Sequence, residues 1–447
     1  MNKTCLFLSL IVLSPFSYAL DLMQAVQRAQ GSDPEWQAHQ YQYEADQLNL
    51  GIAQGVLMPT VTLSGNITRK HQDIDDASLG GLGNGNGSAD LMTETSTTRQ
   101  LTVTARQPLF RWDAWQGYKQ VKTSVQLSEV TLNLQRQQHL LSVSDAYFNV
   151  LRQQALTMTH VQEEKALSEQ LQMMNAKLRE GLVAKSDVSE ANAQFQNARA
   201  NRIAGGVQLI LAQEQLTQLI GVYQENLAVL RDDFQYEQPI PASLDEWRIL
   251  AQSHNLDIQK ARLAQQYAND QRRIDQAANY PQIEAVASYG INKQSPETLI
   301  SGNGQVNQIG VEMNLNLFNG GRTQKTIQQS TIKVKKADVD LDTAIRKASI
   351  DVKKQYLQID TDQSILKARL AAMQSAEIVS RASRAQYDEG LKNMVDVLLA
   401  QRNAFSAKQD YVNAQYDYVM NVLRLKASVG QLNDQAIQDL NQWLVMK

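Results

Sequence analysis

Glu180-Gly181-Leu182 followed four residues later by Asp187-Val188 returns as Glu389-Gly390-Leu391 followed four residues later by Asp396-Val397, at an offset of 209. The same register holds for Tyr147 with Tyr356, Ala191 with Ala400, Ala198 with Ala407, Leu216 with Leu425 and Gly221 with Gly430, so the chain is a tandem duplication. Each copy of the string ends a helical pattern at a glycine and restarts it behind a polar residue, as a helix does when it closes on a left-handed C′ position and a new one is capped. Both copies read as the tips of helical hairpins. Taken singly, either would read as an ordinary surface turn, and the length of helix on each side decides between the two.

Upstream of the first tip, a helical pattern runs over 112–179 with no proline and no glycine after Gly117. Leu127, Leu134, Leu141, Phe148 and Ala155 recur every seven residues, which implies left-handed coiled packing. At 1.5 Å per residue such a rod spans about 100 Å. Downstream, a second helix covers 186–220 and stops at Gly221. The second half repeats the plan, with a rod over 322–388 carrying Ile345, Val352, Ile359, Leu366 and Met373 at the same spacing, and a helix over 394–429 that stops at Gly430. A shorter helix opens each half, over 21–57 and 244–279. Together with the helix behind the tip it matches the length of the rod, so each half reads as an antiparallel rod pair.

Between the opening helix and the rod the period changes. Over about 58–108, Val61, Leu63, Gly65 and Ile67 alternate with Thr60, Thr62, Ser64 and Asn66, and Leu101, Val103 and Ala105 alternate with Gln100, Thr102 and Thr104. Over about 281–317 the same alternation places Ile283, Ala285, Ala287, Tyr289 and Ile291 on one face, then Ile309, Val311, Met313, Leu315 and Leu317. Four strands with one apolar face suit an outer-membrane barrel, where no sheet edge is left open. Four strands cannot close a barrel, so copies must combine; three would give 12 strands and 12 helical rods. Trp112, Trp115 and Phe318, just past strand ends, fit either an aromatic belt at the membrane surface or core anchors. The glycine-, asparagine- and aspartate-rich stretch over 71–90 reads as a flexible loop of open role.

The fold class is therefore mainly α with a transmembrane β-barrel, built from duplicated coiled-coil hairpins and four strands per protomer. The expected organisation is a signal peptide over 1–19, a first repeat over 20–230, a linker with Pro239 and Pro241 over 231–243, a second repeat over 244–430, and a C-terminal segment over 431–447. Lys3, the apolar run from Leu6 to Leu13 and Ser17-Tyr18-Ala19 carry the signal-peptide reading. Cys5, the one cysteine, would leave with it, and thiol chemistry with it. A net charge of -3 without a basic run argues against a nucleic-acid partner. The five histidines show no metal-ligand spacing, and no nucleophile elbow or phosphate loop appears, so neither cofactor, metal nor catalysis is expected.

The signal peptide, the two repeats, the strand pairs and the paired Gly-Leu-x4-Asp-Val turns together resemble the TolC family of outer-membrane efflux and secretion ducts, over essentially the whole mature chain. The resemblance implies a homotrimer in the outer membrane of a Gram-negative cell, with a barrel in the lipid and a helical tunnel in the periplasm. It implies as partners a periplasmic adaptor protein and an inner-membrane transporter of the RND, MFS or ABC type. It also implies a periplasmic gate at Asp187 facing Tyr387 and Ser186 facing Lys392, a selectivity ring at Asp396, and adaptor contacts at the turns Gly181-Leu182 and Gly390-Leu391. Lys392 stands where the family commonly has arginine, so the fork of donors is lost there. A second aspartate three residues past the ring, present in some members, is Leu399 here, so a double ring does not carry over. The rival of another class is a structural coiled-coil protein, a periplasmic adaptor or a surface adhesin. Small-molecule efflux and secretion of a protein are both open within the duct reading.

Overall fold

The computed structural model describes residues 19–74, 92–223, 226–231, 240–295 and 303–446. The expected signal peptide and much of the expected loop and linker lie outside them. In chain order the elements are helices α1 (Leu22–Ser32) and α2 (Pro34–Gly55), strands β1 (Thr60–Ile74) and β2 (Met92–Phe110), and helices α3 (Trp112–Arg179) and α4 (Lys185–Ile220). Strand β3 (Val229–Leu230), helices α5 (Leu244–His254) and α6 (Leu256–Ala277), and strands β4 (Gln282–Ser295) and β5 (Gly304–Asn314) follow. Helices α7 (Arg322–Asp388), α8 (Met394–Ser428) and α9 (Asp434–Asn441) and strand β6 (Leu444–Val445) complete the chain.

Two compact units emerge, each built from both halves of the sequence. The first joins Tyr43–Ser128 to Ala261–Asp340 and contains one antiparallel sheet in the order β1-β2-β4-β5. The central pairing, β2 with β4, crosses from one half of the chain to the other. Its register sets Val61, Ala105, Ala287 and Ile309 abreast, and in the next row on that face Leu63, Val103, Tyr289 and Asn307. The opposite face carries Thr62, Thr104, Ser288 and Gln308 in line. Ion pairs lie there too: Arg106 reaches Glu312 at 2.9 Å, and Arg111 reaches Glu284 at 3.1 Å and Asp113 at 2.8 Å.

Several boundaries differ from the sequence reading. β1 continues through His71, whose Nδ1 meets Thr95 Oγ1 at 2.8 Å, to Ile74, because pairing with β2 holds polar residues that lack an apolar alternation. Leu315 and Leu317 keep the alternation but fall beyond β5. Each opening helix is broken once. At Asp33 (φ -79, ψ 112) the following Pro34 bars helical geometry, so α1 ends and α2 begins with proline in its first turn. At Asn255 (φ -61, ψ 125) the side chain accepts from Ile258 N at 3.0 Å and donates to Ser428 O at 2.7 Å, and so caps α6 while tying it to α8. β3 pairs with β6, and at two residues each they are too short to show a period.

The second unit joins Met1–Gln42, Glu129–Lys260 and Leu341–Lys447, and holds the main apolar core. Heptad positions Phe148, Val352, Ile359 and Leu366 are buried in it, with Leu140, Leu151, Leu216, Trp247, Tyr418 and Leu423. The residue pairs read from the duplication occupy matching places. The Tyr147 hydroxyl lies 2.9 Å from Leu20 O and 2.8 Å from Ala228 O, just ahead of α1. Its counterpart Tyr356 donates to Ala242 O, just ahead of α5. Burial pushes the Tyr147 hydroxyl pKa far up, so it remains a neutral donor. Gly221 (φ 76) and Gly430 (φ 75) end α4 and α8 in the left-handed region, the first against Ser32 at the end of α1 and the second against His254 at the end of α5.

Candidate functional site

Both Gly-Leu turns lie in the second unit, and the helix ends they join pack around one small apolar cluster. Leu167 and Met174 of α3, Ala191 and Ala198 of α4, and Met394, Val397 and Leu398 of α8 are buried there, with Val188, Phe195 and Tyr387 partly buried against them. The turns share one geometry. Gly181 has φ 72 and Gly390 φ 79; Leu182 N donates to Lys177 O at 2.9 Å and Leu391 N to Gln386 O at 2.8 Å. Gly181 N donates to Leu178 O at 3.0 Å and Gly390 N to Tyr387 O at 2.9 Å, completing the paired bonds that close a helix on a left-handed glycine. A leucine side chain projects from each turn, Leu182 and Leu391 both 72% exposed.

The restart of each helix uses different chemistry. Asn393 caps α8, its side chain accepting from Asp396 N at 2.9 Å. At α4 the cap position is Ala184, which offers no acceptor. The polar residue that the sequence placed ahead of the helix is replaced in function by Asp187, whose carboxylate reaches back to accept from Ala184 N at 3.3 Å. Ser186 Oγ lies 3.4 Å from the same carboxylate. In the first turn of α4 that negative charge also opposes the helix dipole.

Of the expected gate residues, Tyr387 packs against this cluster and Asp187 stands next to Val188, which does so too; among the described residues no hydrogen bond joins Asp187 to Tyr387. The Tyr387 hydroxyl instead meets Lys177 Nζ at 3.3 Å, and the same ammonium sits 4.5 Å from the centroid of the Tyr387 ring. Lys392 Nζ donates to Ser383 Oγ at 2.9 Å and not to Ser186. Asp396 is exposed on α8, on the side away from buried Val397 and Leu398, and its carboxylate has no partner among the described residues. Leu399, one turn on, is exposed on that same side.

Gln170, Arg384 and Lys177, which the sequence reading does not single out, make contacts at the cluster. Gln170 donates to Met394 Sδ at 2.6 Å and accepts from Arg384, which also reaches Met173 Sδ at 3.2 Å and Asp388 at 3.6 Å. Lys177 meets the Tyr387 hydroxyl at 3.3 Å. A basic residue in the last turn of α3 was visible, but its partner lies in the other half of the chain.

A separate candidate surface is the sheet of the other unit. Its apolar face is open: Leu63 is 68% exposed and Ile309 88%, with Val61, Val103, Val311 and Met313 also exposed. A contiguous apolar face of this kind marks a surface that some other phase or chain covers. Among the described residues the outer rims of β1 and β5 pair with no further strand. Within the protomer Trp112, Trp115 and Phe318 are likewise exposed, Trp112 with its ring 6.1 Å from that of Tyr280. Among the described residues no group of His, Cys, Asp and Glu is placed to hold a metal ion, and no helix is long and apolar enough to cross a membrane.

The sequence profile of the outer membrane efflux protein family matches residues 25–222 and 247–431. The chain is 30% identical over 456 residues to the outer membrane protein TolC of Escherichia coli K12, covering 98% of this chain and 87% of that one. It is 26% identical to the alkaline protease secretion protein AprF of Pseudomonas aeruginosa, over 95% of this chain and 87% of that one. Among solved structures the CmeC outer membrane channel of Campylobacter jejuni superposes with a TM-score of 0.79 at 16% identity, over 95% of this chain and 90% of that one.

Proposed function

Because the chain belongs to the outer membrane efflux protein family, we propose that three copies assemble into a duct that passes substrates out of the cell through the outer membrane. The observation that carries this reading is the incomplete sheet. Four strands present an apolar face to the outside and polar side chains to the other face, and leave two edges whose backbone groups have no partner. In lipid every such group must be paired, so the edges of β1 and β5 close on those of neighbouring copies, and three copies give 12 strands, enough for a barrel. The rival coiled-coil adaptor or adhesin has no use for a sheet of this kind.

The duct is passive. Energy comes from an inner-membrane transporter, and a periplasmic adaptor docks at the projecting turns Gly181-Leu182 and Gly390-Leu391. Small molecules or a secreted protein pass according to the transporter coupled to it. The four helix ends at the apolar cluster form the periplasmic gate, with Asp187, Tyr387, Ser186 and Lys392 as its polar residues. Asp396 lines the neck, where three copies present a ring of carboxylates to the permeating solution.

Purified protein added to a planar bilayer is expected to give discrete, small conductance steps. Tyr387→Phe removes the hydroxyl contact to Lys177 Nζ and leaves the ring in place. A hydrogen bond to a charged group contributes about 1.5–3 kcal/mol, so mean current is expected to rise about tenfold. No channel activity from the natural sequence would overturn the duct reading, and an unchanged current from Tyr387→Phe would remove Tyr387 from the gate.

A further inference from the structure

We propose that Lys177 is the residue that holds Tyr387 closed, and that it couples the projecting Gly181-Leu182 turn to the gate; this rests on the gate reading above and assigns its working contact. Three observations converge on this one residue.

The first is the double contact to Tyr387. Lys177 Nζ lies 3.3 Å from the hydroxyl and 4.5 Å from the ring centroid, so one ammonium engages both the polar edge and the π-face of the same side chain. An ammonium over a tyrosine ring is attracted by the ring quadrupole, more strongly as water is excluded. Tyr387 is partly buried here, with its hydroxyl 4.0 Å from Met174 Sδ, and Met174 is fully buried.

The second is the absence of competition. Among the described residues Lys177 forms no salt bridge. Two carboxylates near these positions have other duties: Asp388 faces Arg384 at 3.6 Å, and Asp187 is turned back onto the start of its own helix, accepting from Ala184 N at 3.3 Å. Lys177 is thus left to the aromatic ring. Its position in the last turn of α3 also suits a cation, since the unpaired carbonyls there carry partial negative charge.

The third is the backbone. Lys177 O accepts from Leu182 N at 2.9 Å, the long bond that closes the first turn. One residue therefore anchors the exposed Leu182 by its carbonyl and clamps the end of α7 by its side chain. A partner that pulls on Leu182 strains the bond to Lys177 O and, through the same residue, shifts the ammonium off Tyr387. The coupling needs no longer chain of residues, because the two contacts share one Cα.

The test is single-channel recording on the full-length protein in planar bilayers, with the heat resistance of its assembled form measured in parallel. Lys177→Met removes both contacts and keeps the aliphatic stem, so mean current is expected to rise at least as far as in Tyr387→Phe, about tenfold or more. Lys177→Arg, which retains a cation for ring and hydroxyl, is expected to stay within about twofold of the natural sequence. The double variant Lys177→Met/Tyr387→Phe is expected to conduct no more than Lys177→Met alone, since both changes break one contact. A residue that merely stabilised the end of α3 would lower heat resistance without raising current. Current at the natural level in Lys177→Met, with Tyr387→Phe open, would overturn this inference and leave the gate reading standing; fully multiplicative effects in the double variant would overturn it as well. Failure of the natural sequence to form channels would instead sink the gate reading from which it starts.

Discussion

Gly430→Ala is expected to abolish assembly of the folded protein. Gly430 follows α8 with φ 75, where an L side chain costs about 1–2 kcal/mol. That cost alone would be tolerable. The larger obstacle is space: a Cβ there would sit 2.1 Å from His254 O and 2.8 Å from His254 C, both backbone atoms. Neither side can yield. Asn255 ties the opposing backbone to α8 through Ser428 O at 2.7 Å, Gln431 N is bonded to Lys426 O at 2.9 Å, and Val429 and Leu432 are buried in the main core. Gly181 and Gly390 provide the control. Their φ values are similar, but nothing lies within 4 Å of an added Cβ. Gly181→Ala and Gly390→Ala should therefore fold with a modest loss, while Gly430→Ala should leave at least tenfold less assembled protein in extracted outer membranes. Equal yields from all three would mean that α8 does not approach the end of α5 as closely as described.

The second large effect concerns the proposed neck. Asp396 lies on an exposed side of α8 with no partner for its carboxylate among the described residues, while Val397 and Leu398 hold the helix to the cluster from the other side. In a threefold assembly such a carboxylate recurs three times around one axis. Multivalent cations bind a ring of this kind far more tightly than monovalent ones, because each carboxylate adds its own Coulomb attraction. Block of the open channel by a trivalent cation added on the periplasmic side should therefore be strong in the natural sequence and at least about 100-fold weaker in Asp396→Ala. Leu399 occupies the next exposed position on the same side, so no second carboxylate stands there to sustain the block. Undiminished block in Asp396→Ala would move the constriction to other residues.

What could be read from residues alone depended on the range of the force involved. The alternation of Val61, Leu63 and Ile67 announced a strand because one sheet face must be apolar along its whole length. The sevens at Val352, Ile359 and Leu366 announced a buried helical seam for a similar reason, and all three are buried. The duplication was visible as paired residues, and the structure shows why Tyr147 with Tyr356 and Gly221 with Gly430 persist: each pair fastens the same joint twice. Contacts between the halves were hidden. Nothing in the alternation says that β2 pairs with β4, because any apolar face can lie beside any other. The break at Asn255 was missed since it depends on a bond to Ser428 O in a distant helix. Around the two Gly-Leu turns, the turns located themselves through their glycines, but the partner of Tyr387 did not. Asp187 was an expected partner by resemblance, whereas in this chain the missing cap at Ala184 draws the Asp187 carboxylate onto its own helix, and Lys177 stands at the ring instead.

Everything functional depends on the sheet's being one part of a closed wall. The mass of the detergent-solubilised protein, measured with the detergent's contribution subtracted, tests this most directly. Three copies per particle, resisting dissociation until heated, is the result the open edges of β1 and β5 and the apolar face at Leu63 and Ile309 lead to. A single copy per particle, or a monomer that stays dissolved without detergent, would contradict it.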